Sequence, residues 1–137
     1  MSKGSTITAA VALGAALLAV PAIAVSVGAV RVGGLTGDPA HGGVVFHQCQ
    51  TCHVITAGQN RIGPSLHAVV GRRSGMIANF AYSAANKKSG VVWTEPVLFK
   101  YLENPRGFMP GTTMSFVGLK KPQDRADVIA YLKTAAK

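Results

Sequence analysis

Acidic side chains are scarce in this 137-residue chain: five Asp and Glu stand against 14 Lys and Arg, a formal net charge of +9. Such a charge attracts nucleic acid, anionic lipid or an acidic protein partner. The chain has no arginine-rich run and no nucleic-acid-binding motif, which makes nucleic acid the weakest of the three. From Asp38 onward 12 basic residues accompany 5 acidic ones, a net +7, so the downstream part carries most of the charge.

Strand patterning is missing as well, because no stretch alternates apolar and polar residues over the length of a strand. Three segments predict helices instead: one from Asp38 into the cysteine motif, one over 94–105 and one over 121–137. The segment over 56–90 is rich in glycine and polar residues and predicts mostly loop. The sequence therefore predicts an all-α domain with long loops.

Loops of this length are uncommon in a compact domain unless they wrap something. A domain of this size also has a thin core and often depends on a cofactor or cross-link. A large, flat, apolar ligand at the centre would give the loops a surface to pack against. The pattern thus indicates a bound group.

A charge-free run occupies the N-terminus from Ile7 to Val30, and Arg31 closes it. Its 24 residues exceed the apolar core of a signal peptide, about 7–15 residues, and would span a bilayer, for which about 20 suffice. The tripeptide AIA at 22–24 is instead typical of a signal cleavage site. We expect residues 1–31 to be an uncleaved transmembrane anchor, which the length favours, or a cleaved signal peptide. Residues 32–37 are expected to form a flexible linker.

The chain has only two cysteines, three positions apart, with a histidine directly after the second, in the stretch HQCQTCHV over residues 47–54. Three chemistries use such a cluster: a redox disulfide, a metal site and covalent attachment of haem. A redox Cys-x-x-Cys pair normally begins a helix after a strand, whereas here a helix leads in. A structural zinc ion needs four ligands, and His41, His47 and His67 form no second pair.

A simple disulfide across two residues would close too small a loop to stabilise the chain much. Covalent haem needs two thiols at this spacing for its vinyl groups and an adjacent histidine for the iron, which Cys49, Cys52 and His53 supply. The pattern therefore favours haem over the other two chemistries. Covalent attachment also suits an exported protein, from which a loose cofactor would be lost.

From Asp38 to the C-terminus the sequence resembles a class I c-type cytochrome of the mitochondrial and alphaproteobacterial kind. Besides CQTCH, four segments carry the resemblance in the same order: GPSLHAVVGRRSG, YSAANKKSGVVW, YLENPRGFMPGTTMSFVGLKK and DRADVIAYLK. The resemblance implies a cytochrome c fold over residues 38–137. This fold has three to five short helices and long loops wrapped round one covalently attached haem c.

A second axial ligand is expected opposite His53, and a methionine there raises the reduction potential. The family pattern Pro-Gly-Thr-x-Met maps onto PGTTM and implies Met114. Met109 is expected to pack in the core and Met76 to be a surface or pocket residue. His67 is a rival ligand on its chemistry alone.

The resemblance also implies the residues that surround the haem. Pro64 would accept a hydrogen bond from His53, which fixes the ring. Tyr101 would approach the sulfur of Met114. Asn86 would be a polar residue of the same network as Tyr101. The others are expected to hydrogen-bond the haem propionates, offset their charge or cover the haem edge: Arg72, Tyr82, Trp93, Thr112 and Phe116.

The sequence departs from the family between His53 and Pro64, a segment one residue shorter than in the mitochondrial proteins. A histidine that the family often has there is replaced by Asn60 or Arg61. The sequence thus leaves open how this loop is braced.

The resemblance implies a one-electron carrier rather than an enzyme, on the periplasmic side of the bacterial inner membrane. It would take electrons from a quinol–cytochrome c oxidoreductase and pass them to a terminal oxidase or a photosynthetic reaction centre. The alternatives are a haem subunit fixed within a dehydrogenase or oxidase complex, and a haem peroxidase or sensor with a labile sixth ligand. A basic ring around the haem edge would steer acidic docking surfaces. Its candidate residues are Lys87, Lys88, Lys100, Arg106, Lys120 and Lys121.

Overall fold

The computed structural model describes residues 29–137, so the predicted anchor or signal peptide lies outside the described residues apart from its last three positions. The described chain forms, in order, β1 (Val30–Val32), β2 (Leu35–Gly37), α1 (Pro39–Phe46), α2 (Ala84–Lys88), α3 (Glu95–Tyr101), α4 (Pro105–Phe108) and α5 (Pro122–Ala135). None of the helices in residues 29–137 combines the length and apolarity that crossing a membrane requires.

Helices α1 and α5 cross closely, and this crossing explains a glycine. Asp38 caps α1 by accepting a hydrogen bond from the backbone N–H two residues later, as the sequence predicts. At Gly42 a Cβ would overlap the carbonyl oxygen of Asp127, so only glycine permits this separation. Phe46 lies one turn further along α1 and packs beside Tyr131 of α5, with the ring centroids 5.1 Å apart.

The prediction of a flexible linker over 32–37 is wrong, because β1 and β2 pair there as an antiparallel hairpin. Gly33 and Gly34 have φ values of +60° and +79°, and two consecutive positive φ values suit the right-handed twist of a two-residue hairpin. Val30 and Val32 are 3% and 4% exposed. The ordered domain therefore begins earlier than predicted and adds a small sheet to the helices.

The hairpin lies against α5. A Cβ at Gly37 would overlap the backbone carbonyl of Ala126, so the second strand rests directly on the helix. The ring of Phe99 in α3 packs against the hairpin turn. The guanidinium of Arg125 lies over the same ring, 4.5 Å from its centroid. These contacts attach the start of the described chain to the helices rather than to the loops.

The helix predicted over 94–105 is shorter in the structure, and a second helix begins at the residue where it was expected to stop. Thr94 caps α3 by accepting a hydrogen bond from the N–H of Val97, and the helix ends at Tyr101. Asn104 then caps α4, whose first residue is Pro105. The Asn-Pro pair that predicts a helix end is thus also a helix start.

One short helix, α2, interrupts the segment predicted as mostly loop. Ser83 caps it by accepting a hydrogen bond from the N–H of Asn86 at 3.1 Å. Its five residues are too few to show a periodic pattern in the sequence. The predicted class of several short helices joined by long loops is confirmed, with the hairpin as an addition.

Candidate functional site

An apolar cavity of about 440 Å³ lies between the helices and the loops of the described domain. Ligand sites typically measure about 300–1,000 Å³ and are mostly apolar. All of the predicted site residues line this one cavity: Cys49, Cys52, His53, Pro64, Arg72, Tyr82, Asn86, Trp93, Tyr101, Thr112, Met114 and Phe116. The structure thus brings together residues that are widely separated along the chain.

The two thiols reach the cavity on a turn that follows α1. The N–H of Cys49 donates to the carbonyl of Phe46, and those of Cys52 and His53 both donate to the carbonyl of Cys49. Cys49 and Cys52 are partly buried and form no disulfide. Burial raises the pKa of Cys49 to about 11, and the neighbouring Cys52 adds to this effect. The turn presents both thiols and a histidine to the same cavity.

The imidazole of His53 is held at one nitrogen. Its Nδ1 lies 2.7 Å from the carbonyl oxygen of Pro64, which can only accept, so Nδ1 carries the proton and Nε2 is the nitrogen with a free lone pair. A Cβ at Gly63 would overlap the ring, so glycine is required beneath it. Burial lowers the pKa of His53, with the hydrogen bond to Pro64 opposing and Arg72 assisting. The neutral imidazole is the form that binds a metal.

The sulfur of Met114 is also held. The hydroxyl of Tyr101 donates to its Sδ at 3.0 Å, and the backbone N–H of Met114 donates to the hydroxyl of Thr112 at 3.3 Å. Burial raises the pKa of Tyr101, against an opposing hydrogen bond with Thr112, so the phenol keeps the proton that it donates. The protein alone therefore holds the sulfur of Met114 in one position.

The rival ligands lie elsewhere. Met109 is packed in the core at 5% exposure, and Met76 is 64% exposed. Neither of them, nor His67, lines the cavity. The geometry therefore favours Met114 among the described methionines.

Asn86 on α2 connects two of the cavity-lining segments. Its amide nitrogen donates to the hydroxyl of Ser74 at 3.4 Å, and its amide oxygen accepts from Thr112 at 3.4 Å and from Ser83 at 2.7 Å. The short helix α2, which the sequence did not predict, therefore brings Asn86 to the loop that carries Thr112 and Met114.

A short antiparallel pairing positions Arg72 beside Trp93. The N–H of Trp93 donates to the carbonyl of Arg72 at 2.9 Å. The guanidinium of Arg72 donates to the carbonyls of Ser65 and His67, which leaves it along the cavity wall. Burial lowers the pKa of Arg72, partly offset by Tyr82. A basic group, a phenol and an indole thus share this part of the wall.

Asn60 braces the loop between His53 and Pro64, where the family often has a histidine. Its amide nitrogen donates to the carbonyls of Ala78 and Asn79 at 3.0 and 3.3 Å, and its amide oxygen accepts from the N–H of Ser65 at 3.0 Å. Arg61 instead donates to the carbonyl of Gln50 at 3.1 Å. Asn60 is therefore the residue that ties this loop to the 78–79 segment.

Several lining residues were missed by sequence reasoning. Those on α3 and α5 belong to the apolar stripes of their helices, which is a signal that could have identified them. Ile62, Phe80 and Val117 stand in loops, where no periodic pattern marks a residue as facing a ligand. The missed apolar residues are Ile62, Leu66, Val69, Phe80, Leu98, Leu102, Val117, Val128 and Leu132.

The predicted basic ring does not touch the cavity. None of its six members is among the lining residues. Arg106 contacts a lining residue, because its Nε donates to the carbonyl of Met114 at 3.4 Å. Lys120 is directed to the carbonyl of Glu103 at 2.9 Å.

These features fit a covalently bound haem. One apolar cavity is lined by two free thiols, a neutral histidine with one nitrogen free and a braced methionine sulfur. The cavity also has an arginine and several hydroxyl groups that can bind the carboxylates of a haem. Such a donor set defines a protein of the c-type haem class.

Comparisons with known proteins agree with this class. Residues 39–136 match the family "Cytochrome c". The chain is 54% identical over 99 residues to "Cytochrome c2" of Rhodopila globiformis, covering 72% of this chain and 93% of the relative. It is 47% identical over 105 residues to "Cytochrome c" of Arabidopsis thaliana, covering 75% and 94%. Its fold is similar to that of cytochrome cH from Methylobacterium extorquens, with a TM-score of 0.68 and 41% identity over 72% of this chain and 99% of that one.

The chain belongs to the cytochrome c family. The predicted cofactor, a covalently attached haem c, is confirmed by this membership and by the two cysteines of the CQTCH motif. The chain is thus similar over most of its length to mono-haem electron carriers.

Proposed function

We propose that this protein carries single electrons between a quinol–cytochrome c oxidoreductase and a terminal oxidase or photosynthetic reaction centre. Cys49 and Cys52 would hold the haem through thioether bonds, and His53 and Met114 would ligate its iron. When bound, the haem supplies a one-electron couple. No substrate bond is made or broken, so the protein is not an enzyme in the ordinary sense.

The bracing of both candidate iron ligands carries this proposal. Nδ1 of His53 is bound to Pro64, and Sδ of Met114 accepts from Tyr101. Ligands that are fixed in advance change position little when the charge of the iron changes, which favours fast electron transfer. A thioether ligand also raises the reduction potential. A peroxidase or sensor needs an open or easily vacated sixth position, which a braced methionine opposes.

The periplasmic side of a bacterial inner membrane is the location that we infer. Covalent attachment retains the cofactor outside the cytoplasm, and the predicted export segment is consistent with this location. A bacterial cytochrome c2 and a bacterial cytochrome cH are among the similar proteins. The net positive charge of the domain favours partners with acidic docking surfaces.

The test is to purify the native protein and measure three quantities. Intact mass should exceed that of the polypeptide by one covalently bound haem. The ferric protein should show the absorption band near the red end of the visible spectrum that methionine ligation produces. It should also be reduced by a bacterial quinol–cytochrome c oxidoreductase supplied with quinol. Absence of the red band at neutral pH would contradict the carrier and favour an open-site enzyme or sensor.

A further inference from the structure

The hairpin of β1 and β2 precedes the part of the chain that matches the cytochrome c family. The match covers residues 39–136, whereas the two strands lie within residues 30–37. An isolated two-stranded hairpin is at best marginally stable in water. The order of this hairpin therefore depends on its contacts with the helices of the domain.

Several independent contacts fasten the hairpin to α5. Val30 and Val32, on the first strand, are both buried. On the second strand, the carbonyl of Thr36 accepts a hydrogen bond at 2.9 Å from the side-chain amide of Gln123 in α5. The close approach of Gly37 to the backbone of α5 adds a third contact. Because the first residue of β1 is already buried, the fixed part of the domain begins at Val30 itself.

The uncharged N-terminal run ends where this fixed part begins. Residues 7–29 are 23 uncharged residues, and Val30, the last residue of the run, is already paired with Gly37. About 20 apolar residues are enough to cross the hydrocarbon core of a bilayer. About three residues then remain to join a membrane-crossing run to the hairpin, and they reach at most roughly 10 Å. A join of this length leaves the domain little freedom to swing.

We propose that residues 7–29 stay in the bilayer and that the hairpin joins the haem domain rigidly to them, so that the domain keeps one orientation on the membrane. This inference goes beyond the proposed carrier function, which does not depend on it. A domain on a long flexible linker samples many orientations and a large volume. A domain held in one orientation exchanges electrons with integral redox proteins of the same membrane that approach its haem from the side.

The experiment uses the full chain, extracted from bacterial membranes with its haem attached and returned to oriented multilayers of phosphatidylcholine. This lipid has no net charge, so the bilayer does not attract the basic domain electrostatically. The electron paramagnetic resonance signal of a ferric haem depends on the direction of the magnetic field relative to the haem plane. For the wild type the signal should change as the multilayers are rotated in the field, and the intact mass should include residues 7–29.

Two variants should remove this dependence on angle. A flexible insert of about 12 Gly and Ser residues between Ala29 and Val30 lengthens the join and leaves the hairpin intact, so the signal should be the same at every angle. The double variant Val30→Ser, Val32→Ser keeps the length of the join but weakens the burial of β1, and most of the dependence should be lost.

Arg31→Gln is the matched control. Arg31 is exposed and lies on β1 between the two buried valines, so this variant should show the same dependence on angle as the wild type. The red absorption band of every variant should equal that of the wild type, which shows that the haem site is intact.

Three results would overturn the inference. An intact mass that lacks residues 1–24 would show that the leader is removed. A wild-type signal that is equal at every angle would show that the domain swings. An insertion variant as dependent on angle as the wild type would show that something other than the join orients the domain. Reduction by a purified quinol–cytochrome c oxidoreductase in detergent tests the carrier function separately, because that reaction needs no fixed orientation on a bilayer.

Discussion

The described domain has two halves that are built by different means. The helical half consists of the hairpin, α1, α3 and α5. All five Asp and Glu side chains lie in these elements or within two residues of their ends. The side chains of Asp38 and Thr94 cap α1 and α3, and the elements of this half pack directly on one another. The loop half, residues 54–93 and 104–121, lines much of the cavity and has no Asp or Glu. We therefore expect the polypeptide alone to specify the first half and the second half to depend on the ligand for its arrangement.

Removing the haem should produce the largest difference between the stabilities of the two halves. A group that binds the folded state in preference to the unfolded state stabilises the folded state. The variant Cys49→Ala, Cys52→Ala loses this contribution, because nothing attaches the cofactor to the chain. We expect amides of the loop half to lose protection from hydrogen exchange, while those at the α1–α5 crossing keep more of theirs. Equal loss in both halves would contradict the division. Addition of free haem to the variant is the control, and it should restore part of the protection.

A substitution within the helical half should have the next largest effect. Gly42→Ala places a methyl group on the carbonyl of Asp127, and backbone cannot rotate out of the way. We expect the free energy of unfolding to fall by about 3 kcal/mol, measured by urea denaturation of the holoprotein.

Gly43→Ala is the matched control for this crossing. A Cβ at Gly43 would lie 3.4 Å from the ring of Tyr131, which is ordinary contact distance. Because alanine favours a helix over glycine by about 1 kcal/mol, this variant should be unchanged or more stable. A loss in Gly43→Ala as large as that in Gly42→Ala would refute the close-approach explanation.

Acid should act on the helical half through Asp127. Burial alone would raise the pKa of this carboxyl group, but hydrogen bonds from the N–H of Asp38, from Gln123 and from His41 outweigh burial and hold its pKa below the ordinary value. A lowered pKa in the folded state contributes stability that is present above the ordinary value, near pH 4, and is lost as pH falls through the folded pKa.

Asp127→Asn tests that contribution. At pH 7 we expect about 2 kcal/mol less stability, since charged hydrogen bonds are lost, and a smaller further loss than in the wild type between pH 5 and pH 2. Urea denaturation at a series of pH values measures both. An unchanged slope on the acid side would show that another carboxyl group causes the acid sensitivity.

The smallest effect is expected from Tyr101→Phe, a change at the end of α3 that acts on Met114 in the loop half. It removes the hydroxyl that donates to Sδ of Met114 at 3.0 Å and keeps the ring that packs on Trp93. We expect a cost of about 1 kcal/mol, seen as loss of the red absorption band at a lower pH than in the wild type. Tyr131→Phe, at the helix crossing, should leave that band unaltered, and a shift of equal size there would contradict a specific role for Tyr101.

The division also explains what the sequence could and could not predict. Asp38, Thr94 and Pro122 mark helix starts through local chemistry, and the structure has helices at each of them. The hairpin was missed although its signal is present: VGGL is a Gly-Gly pair between apolar residues, and we interpreted it as a linker. The cysteine motif is likewise local, so its residues could be predicted in full.

Contacts in the loop half could not be predicted from local pattern. The hydrogen bonds of Asn60 to residues 78–79 and of Asn86 to Thr112 join segments far apart in sequence. They depend on how loops are folded round a ligand, for which neither periodicity nor capping gives a signal. Family resemblance supplied the residues there, and the structure supplied their partners.

The position of the hairpin determines where a tether or fusion partner joined to the start of this domain would apply force. Gly37 meets Ala126 and Ala130 of α5, whereas Val128 and Leu132 line the cavity, and two residues along a helix are roughly 200° apart around its axis. The chain therefore enters with α5 between it and the cavity. A tether, a fusion partner or an electrode linker spliced in ahead of Val30 would pull on the face of α5 opposite the cavity, and not on the loops that line the cavity.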